Sequence, residues 1–227
     1  MFSESDRPFT DRREAGKVLA SKLRQYAGRP DVVVLALPRG GVPVAFEVAE
    51  ALEAPLDIFL VRKLGMPGHA EFAIGAIASG GVRVVNTEVV RWYGIPEQAI
   101  EQIAREEQAE LERRDREYRQ GRPLPDLSGH IVILVDDGLA TGSTMRAAVQ
   151  AVRQHHPARV IVAVPVGAPS TCAEFDGVSD ETVCARMPEP FSAVGQWYRD
   201  FSQTSDDEVR ALLQQHANHP RAGGIPT

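Results

Sequence analysis

Cysteine is scarce: the chain carries only Cys172 and Cys184 among 227 residues. They lack metal-ligand spacing and the company a zinc site needs. They read as buried small residues rather than as a disulfide, and a reducing cytoplasm is the compartment that suits them. Aromatics are sparse too, at 6%, so a local cluster of them carries information. No apolar run approaches the ~20 residues that span a bilayer, and no membrane is expected as a partner. The opening segment, MFSESDRPFTDRREAG, lacks the apolar core of a secretory signal. No Lys/Arg block is present and the formal net charge is −6. Both argue against a nucleic-acid surface. What is present, 43% hydrophobic and 25% charged, is ordinary for a globular chain. This length can bury one substantial core, with a small subdomain at most.

The pattern alternates strand and helix. Asp11 with Glu14 forms a capping-box-like start to a helix reaching about Tyr26, with Ala15, Val18, Leu19 and Leu23 on its apolar face. Gly28 and Pro30 end it. Val32 to Leu37 reads as a strand, Pro38 to Gly41 as a tight loop and Val42 to Leu52 as a helix. Leu56 to Val61 reads as a second central strand, with a polar, Gly-rich stretch after it from Arg62 to Glu71. Phe72 to Ala78 and Val82 to Asn86 flank Gly80-Gly81 and predict a hairpin. Pro96 to Gln120 has no breaker until Gly121. Its thin stripe of Ile100, Ile103, Glu107 and Leu111 predicts a long helix with one packed face. Next come a strand from Ile131, a helix from about Thr144 to His155 and a strand from Arg159 to Pro165. A short helix near Ser170 to Phe175, a strand from Glu181 to Ala185 and a last helix capped by Ser205 with Glu208, running to about His216, complete the series. The tail from Ala217 is expected to be mobile. Units in this order imply an α/β fold: a mostly parallel central sheet flanked by helices. The whole chain is read as one domain.

The stretch Ile131 to Thr144, IVILVDDGLATGST, carries the most information. Five aliphatic residues suit a strand buried on both faces. The residues after them lie at a strand's carboxyl end, where open α/β sheets bind ligands. Thr141, Gly142, Ser143 and Thr144 offer backbone N–H groups and hydroxyls at a helix N-terminus, which suits a phosphate. Asp136 and Asp137 suit sugar hydroxyls or a hydrated divalent cation. A phosphorylated ribose carries both kinds of group. No Gly-Lys-Ser/Thr comes after four spacer residues, so the loop is not a Walker A motif. A haloacid-dehalogenase-like phosphatase would need Asp-x-Asp, and here the acids are adjacent. The bland reading is a capped turn with Asp and Thr present for turn chemistry.

At these residues the sequence resembles the type I phosphoribosyltransferases. Their 5-phosphoribosyl-1-diphosphate (PRPP) motif is a hydrophobic strand, two acids, two mostly apolar residues and a Thr/Gly/Ser loop. Ala140-Thr141-Gly142 is similar to the adenine phosphoribosyltransferase type. Gly138 departs from the pattern, standing where a larger aliphatic residue is usual. Ala140 stands where the hypoxanthine-guanine type has an acid. The resemblance implies a small hood over the sheet's carboxyl edge, drawn from the N-terminal segment, the C-terminal segment at about 186–216, or both.

The same resemblance assigns other pieces. Arg39, Gly40 and Gly41 occupy the place of the family's pyrophosphate loop, often with an unusual cis peptide. Arg can pair with a diphosphate through its planar fork. Arg62 and Lys63 look like the start of the flexible catalytic loop that closes over PRPP and excludes water. Glu71 is the candidate for handling the acceptor's proton, with His69 second. Phe191, Trp197, Tyr198 and Phe201 cluster in a chain poor in aromatics. By analogy with the purine hood, Phe191 or Trp197 stacks on a base and Asp200 stands near Mg²⁺; the bland reading is packing of a subdomain. Asp136, Asp137 and Asp200 are thus the metal candidates. The implied activity is Mg²⁺-dependent phosphoribosyl transfer from PRPP to a nitrogenous acceptor, a nucleobase in purine salvage by preference. A homodimer is expected. The competing reading is a regulatory module that senses PRPP or a nucleotide without transferring anything.

Overall fold

A computed structural model describes residues 7–218, apart from the side chains of Ala70 and Glu71. The tail expected to be mobile lies, from residue 219 onward, outside the described residues. The fold is α/β, with a wholly parallel five-stranded sheet at its centre. The strands are β1 (Val32–Ala36), β2 (Leu56–Ile58), β6 (Ile131–Val135), β7 (Arg159–Val166) and β8 (Glu181–Arg186), in the order β2-β1-β6-β7-β8. β1 and β6 are adjacent and in register, Val32 opposite Ile131 and Ala36 opposite Val135. All residues of both are buried. Val32, Val34, Ala36, Ile131, Ile133 and Val135 face one core. That core also holds α1 (Arg12–Lys22), α2 (Gly41–Leu52) and α7 (Asp206–Ala217). Val33, Leu35, Val132 and Leu134 face a second core, packed with α5 (Ser143–Arg153) and α6 (Pro169–Glu174). Period-two alternation therefore feeds apolar side chains to both faces, which is why these strands read as unbroken aliphatic runs.

Helix boundaries obey local chemistry. Asp11 caps α1 by accepting from the Glu14 N–H at 2.8 Å, while Glu14 reaches back to the Thr10 N–H. A 3-10 turn, Arg24–Tyr26, extends the helix to the end expected for it. Ser205 caps α7 from the Glu208 N–H at 3.1 Å. α4 (Glu97–Arg119) buries Ile100, Ala104, Leu111 and Tyr118 on one face. Ion pairs Arg113–Glu117 and Arg114–Glu110 line the rest, so the apolar stripe is thin but continuous. A short helix, α3 (Thr87–Trp92), has no counterpart in the sequence pattern; Asn86, expected as a strand end, caps it.

Two expectations are corrected. The stretch Leu56 to Val61 is not one central strand. Only Leu56–Ile58 joins the parallel sheet, and it does so at the edge. The chain then changes partners within two residues: the Phe59 N–H donates to Ala36 O, and Leu60 O accepts from the Ser79 N–H. From Val61 it builds a separate antiparallel sheet of β3 (Val61–Met66), β4 (His69–Ala78) and β5 (Val82–Val85). The polar stretch from Arg62 is thus a hairpin turning at Pro67-Gly68, and the expected hairpin around Gly80-Gly81 is its continuation. Second, Cys172 and Cys184 form a disulfide, with Cα atoms 6.6 Å apart. α6 packs back against β8, and Gly167 leaves room for both sulfurs: a Cβ there would lie 2.5 Å from the Cys172 Sγ. The expected burial holds for Cys172, but its pairing depends on that tertiary contact. The thiol-based argument for a reducing compartment therefore falls.

Candidate active site

The carboxyl ends of β1 and β6 lie side by side, and their loops share one rim. The Leu37 N–H donates to Val135 O at 2.8 Å, so the loop Pro38–Gly41 begins against the strand that delivers Asp136 and Asp137. The Pro38–Arg39 peptide is cis. Gly40 is pressed against the acid pair: a Cβ there would stand 2.1 Å from the Asp137 Oδ2. A Cβ at Gly41 would stand 2.7 Å from Val135 O. Both glycines are required by closeness rather than by turn shape. Arg39 extends away, its Nη1 3.7 Å from the Asp206 Oδ1 at the start of α7.

After the acids the chain loops over to β7, where the Leu139 N–H donates to Val166 O at 2.9 Å. Ala140, Thr141, Ser143 and Thr144 are exposed. Gly142 takes a left-handed conformation, φ 69°, at the N-cap of α5, and no side chain caps that helix. The N-terminal N–H groups of α5 therefore open onto a loop edged by hydroxyls, an arrangement suited to an anion. The loop is braced from below by α6: the Thr171 Oγ1 donates to Ala140 O at 2.6 Å, and Phe175 and Thr171 fill the space beside Gly142.

The hairpin brings cations to this rim. Successive strand residues point to opposite faces, and Arg62 and Lys63 diverge accordingly. Arg62 pairs with Glu107 on α4 at 2.6 Å. The Lys63 Nζ lies 3.5 Å from the Ser143 Oγ. Lys63 therefore points at the hydroxyl loop, and Arg62 fastens the hairpin to α4. Glu71 falls in β4, but its side chain lies outside the described residues. His69 is exposed at the start of β4.

The two acids differ in their surroundings. Burial, and then the neighbouring charge of Asp137, push the Asp136 carboxyl well above the usual range. Burial also raises Asp137, but the Arg12 guanidinium pulls the other way. The Arg12 Nε and Nη2 both reach the Asp137 Oδ2, each at 2.9 Å. Asp136 instead accepts from the Asp137 N–H at 2.8 Å. Among the described residues no group of three or more His, Cys, Asp or Glu could hold a metal. Two adjacent carboxylates do fit a Mg²⁺ ion that takes most of its ligands from water and a phosphorylated substrate.

The aromatic segment packs onto the same acids. Phe9 and Tyr198 form a parallel bridge, so residues from both ends of the described chain share one layer. The Tyr198 hydroxyl donates to Asp137 O at 2.5 Å. Phe201 stacks on the Arg12 guanidinium, 4.1 Å from the ring centre. Val194 explains Gly138: a Cβ there would lie 2.4 Å from the Val194 Cγ1. The aliphatic side chain missing from the motif is supplied from far downstream. Phe191 and Trp197 are half-buried against Phe9, Ala15, Val166 and Tyr198, and the Trp197 Nε1 is buried without a hydrogen-bond partner. Asp200 is exposed, accepts from the Ser202 N–H at 2.9 Å, and is held below the usual carboxylate range chiefly by that hydrogen bond.

Sequence reasoning missed Arg12. A signal was present: Arg12 lies three, four and seven residues before Ala15, Gly16 and Leu19, which places a charge on the buried face of α1. It missed Val194 and the hydroxyl role of Tyr198 for want of any local signal.

Comparison with known proteins bears on all of this. "Putative phosphoribosyl transferase Rv0571c" of Mycobacterium tuberculosis H37Rv is 50% identical over 218 residues, 96% of this chain. Its counterpart in strain CDC 1551, "Putative phosphoribosyl transferase MT0597", matches equally. The chain spans about half the length, 49%, of these curated relatives. Among solved structures, TT1426 from Thermus thermophilus superposes with a TM-score of 0.83 at 43% identity, covering 92% of this chain and 98% of that one. The family model for the phosphoribosyl transferase domain matches residues 11–184, from the cap of α1 to the middle of β8. With the acid pair, the hydroxyl loop and the glycine loop gathered on one sheet edge inside that span, the chain belongs to the phosphoribosyl transferase domain family.

Proposed function

We propose that this chain transfers a 5-phosphoribosyl group from PRPP to a ring nitrogen of a nucleobase-like acceptor and releases pyrophosphate. One observation carries the reading: three separate loops, Pro38–Gly41, Asp136–Thr144 and the Lys63 end of the hairpin, converge on the carboxyl edge of β1 and β6, and Lys63 reaches Ser143. A lone phosphate would need only one of them.

In this reading the 5-phosphate lies on the N–H groups and hydroxyls of Ala140 to Thr144. The ribose hydroxyls donate to Asp136 and Asp137. The diphosphate lies along Gly40 and Gly41, within reach of Arg39 and Lys63, with Arg62 as anchor of the hairpin. Asp136 and Asp137, with Asp200 as a further candidate, would hold Mg²⁺, and the ion would offset charge on the departing pyrophosphate. The bond from the anomeric carbon to the diphosphate oxygen breaks, and a bond to the acceptor nitrogen forms. A cation held beside the pair would offset the burial that raises both carboxyls, and their negative charge would then favour the positive character of that carbon on the way. The acceptor's proton leaves its nitrogen for a base; Glu71 is the candidate, since Ala140 supplies no acid there, and His69 is second. Phe191 or Trp197 forms the stacking wall of a hood built from the first described residues and about 186–216. The chain acts as one such unit, as a homodimer.

A PRPP- or nucleotide-sensing regulator without transferase activity is the second reading, and Ala140 is the observation that favours it. One assay separates them. The protein is incubated with PRPP, Mg²⁺ and a panel of purine and pyrimidine bases, and pyrophosphate is measured over time, with and without EDTA. Release that depends on one acceptor and on the metal supports transfer. Asp137→Asn should then cut turnover by ~10²-fold or more with the fold intact. PRPP binding with no release for any base makes the protein a sensor, and wild-type turnover in Asp137→Asn would sink the assigned role of the acid pair.

A further inference from the structure

The geometry points to Arg12 as the positioning residue of the site, fixing Asp137 and tying it to the aromatic segment that closes over it. The inference rests on the PRPP reading for its functional part and on geometry alone for the rest.

Arg12 sits at the first turn of α1, on the face that α1 buries. Its side chain is 11% exposed. Its guanidinium is engaged on three sides. Nε and Nη2 converge on one oxygen of Asp137, Oδ2, at 2.9 Å each. Nη1 donates to Ser202 O at 2.7 Å. The Phe201 ring covers its face at 4.1 Å, with Tyr198 further off at 5.9 Å. A planar fork held this way has one orientation, and it imposes one on its partner. Both nitrogens take the same carboxylate oxygen, so Arg12 fixes the orientation of the Asp137 carboxylate through Oδ2. Gly40 closes off the other side of Oδ2.

The same side chain is a tie between distant segments. Residues 198–202 reach the acid pair twice, through the Tyr198 hydroxyl on Asp137 O and through Arg12. Val194 adds a third contact, on Gly138. A ligand that pulls on Asp137 therefore pulls on Arg12, Phe201 and Ser202 together. Arg12 does not reach the reacting atoms; it acts through Asp137.

The test uses the full chain in a Trp92→Phe background, in which Trp197, the other of two tryptophans, reports on the aromatic segment. Arg12→Met and Arg12→Lys are compared for PRPP affinity in Mg²⁺, thermal midpoint and Trp197 emission. Arg12→Met should weaken PRPP binding at least tenfold. Arg12→Lys, which keeps the charge but not the fork, should stay within threefold of Arg12→Met. Low concentrations of free guanidinium should restore part of the binding to Arg12→Met only, which a merely structural residue would not show. Wild-type PRPP affinity in Arg12→Met would overturn the role. A second measurement needs no ligand: a double-mutant cycle of Arg12→Met and Phe201→Leu on the thermal midpoint and on Trp197 emission. Non-additive shifts are expected, and additivity overturns the tie. If the wild-type chain binds no PRPP, the PRPP reading falls; the Phe201 cycle and a second cycle of Arg12→Met with Asp137→Asn then decide whether Arg12 links Asp137 to the aromatic segment.

Discussion

The two sheets meet at the candidate site and are built on opposite plans. The parallel sheet is sealed at its centre: every residue of β1 and β6 is buried, and the acids emerge where burial stops, whereas its edge strand β8 has no buried residue. The antiparallel sheet is open at its outer strands: in β3 only Leu64 is buried and no residue of β5 is, while the middle strand β4 buries Ile74, Ala76, Ile77 and Ala78. A sealed sheet holds its loops from both faces, so Asp136, Asp137 and Gly40 have fixed neighbours. Two partly exposed ion pairs, Arg62–Glu107 and Arg83–Glu101, fasten the hairpin to α4, and Leu64, Ile74 and Ile77 sink into the core that α4 shares. The difference divides the work. In the proposed reading the groups that must be placed closely, Asp136, Asp137 and Gly40, stand on the sealed centre, and the exposed cation Lys63 stands on the open hairpin.

The comparison can be broken on either side. The largest effect on affinity should come from Gly40→Ala, because its Cβ would collide with the Asp137 Oδ2, which Arg12 holds in place. Overpacking of this kind costs about 1–3 kcal/mol, so PRPP affinity measured by calorimetry should fall by ~10- to 100-fold. Unchanged affinity would mean that the rim is looser than the sealed sheet implies. Lys63→Met should cost less, about tenfold in KM for PRPP, and the loss should shrink as salt is raised, since the charge is exposed and screened. A salt-independent loss would place Lys63 in the sealed part of the site.

The smallest effect concerns stability. Burial, then the hydrogen bond to Asp206, push the Tyr118 phenol up to about 12. An unfolded chain titrates its tyrosines near ~10. Between those values the unfolded state gives up its proton first. The stabilisation is complete below the unfolded value and is lost as the pH rises through the folded one. Tyr118→Phe should flatten the part of the alkaline unfolding curve that lies between them. An unaltered slope there would remove Tyr118 as the cause.

The legibility of the sequence runs along the same divide. β1, β6 and β7 announce themselves, because burial on both faces leaves uninterrupted aliphatic runs. The loop after β6 is readable because its residue types are rare together and consecutive. The passage from β2 to β3 is not, since Leu56-Asp57-Ile58-Phe59-Leu60-Val61 stays mostly apolar while the chain moves from one sheet to the other, with no Gly or Pro to mark it. The disulfide escapes a local reading because its cysteines meet only through the packing of α6 on β8. Gly138 stands out as a departure, but its reason lies in Val194, and the partner of Asp137 lies 125 residues away in Arg12. Local pattern reveals the parts of a loop; contacts across the chain decide how each part is aimed.

The Phe9–Tyr198 bridge has a consequence for the order of events in synthesis. A ribosome delivers Arg12 first, the acid pair midway and Tyr198 to Ser202 later. Until those last residues emerge, Asp137 lacks its tyrosine hydroxyl and Arg12 its aromatic cover and its carbonyl. The strands β1 through β7 emerge before them, and until then the rim that carries the acid pair stays unfinished. A chain that stops before residue 198 would lack these contacts on the acid pair, and the α7 side chains that complete the core beside α2 as well.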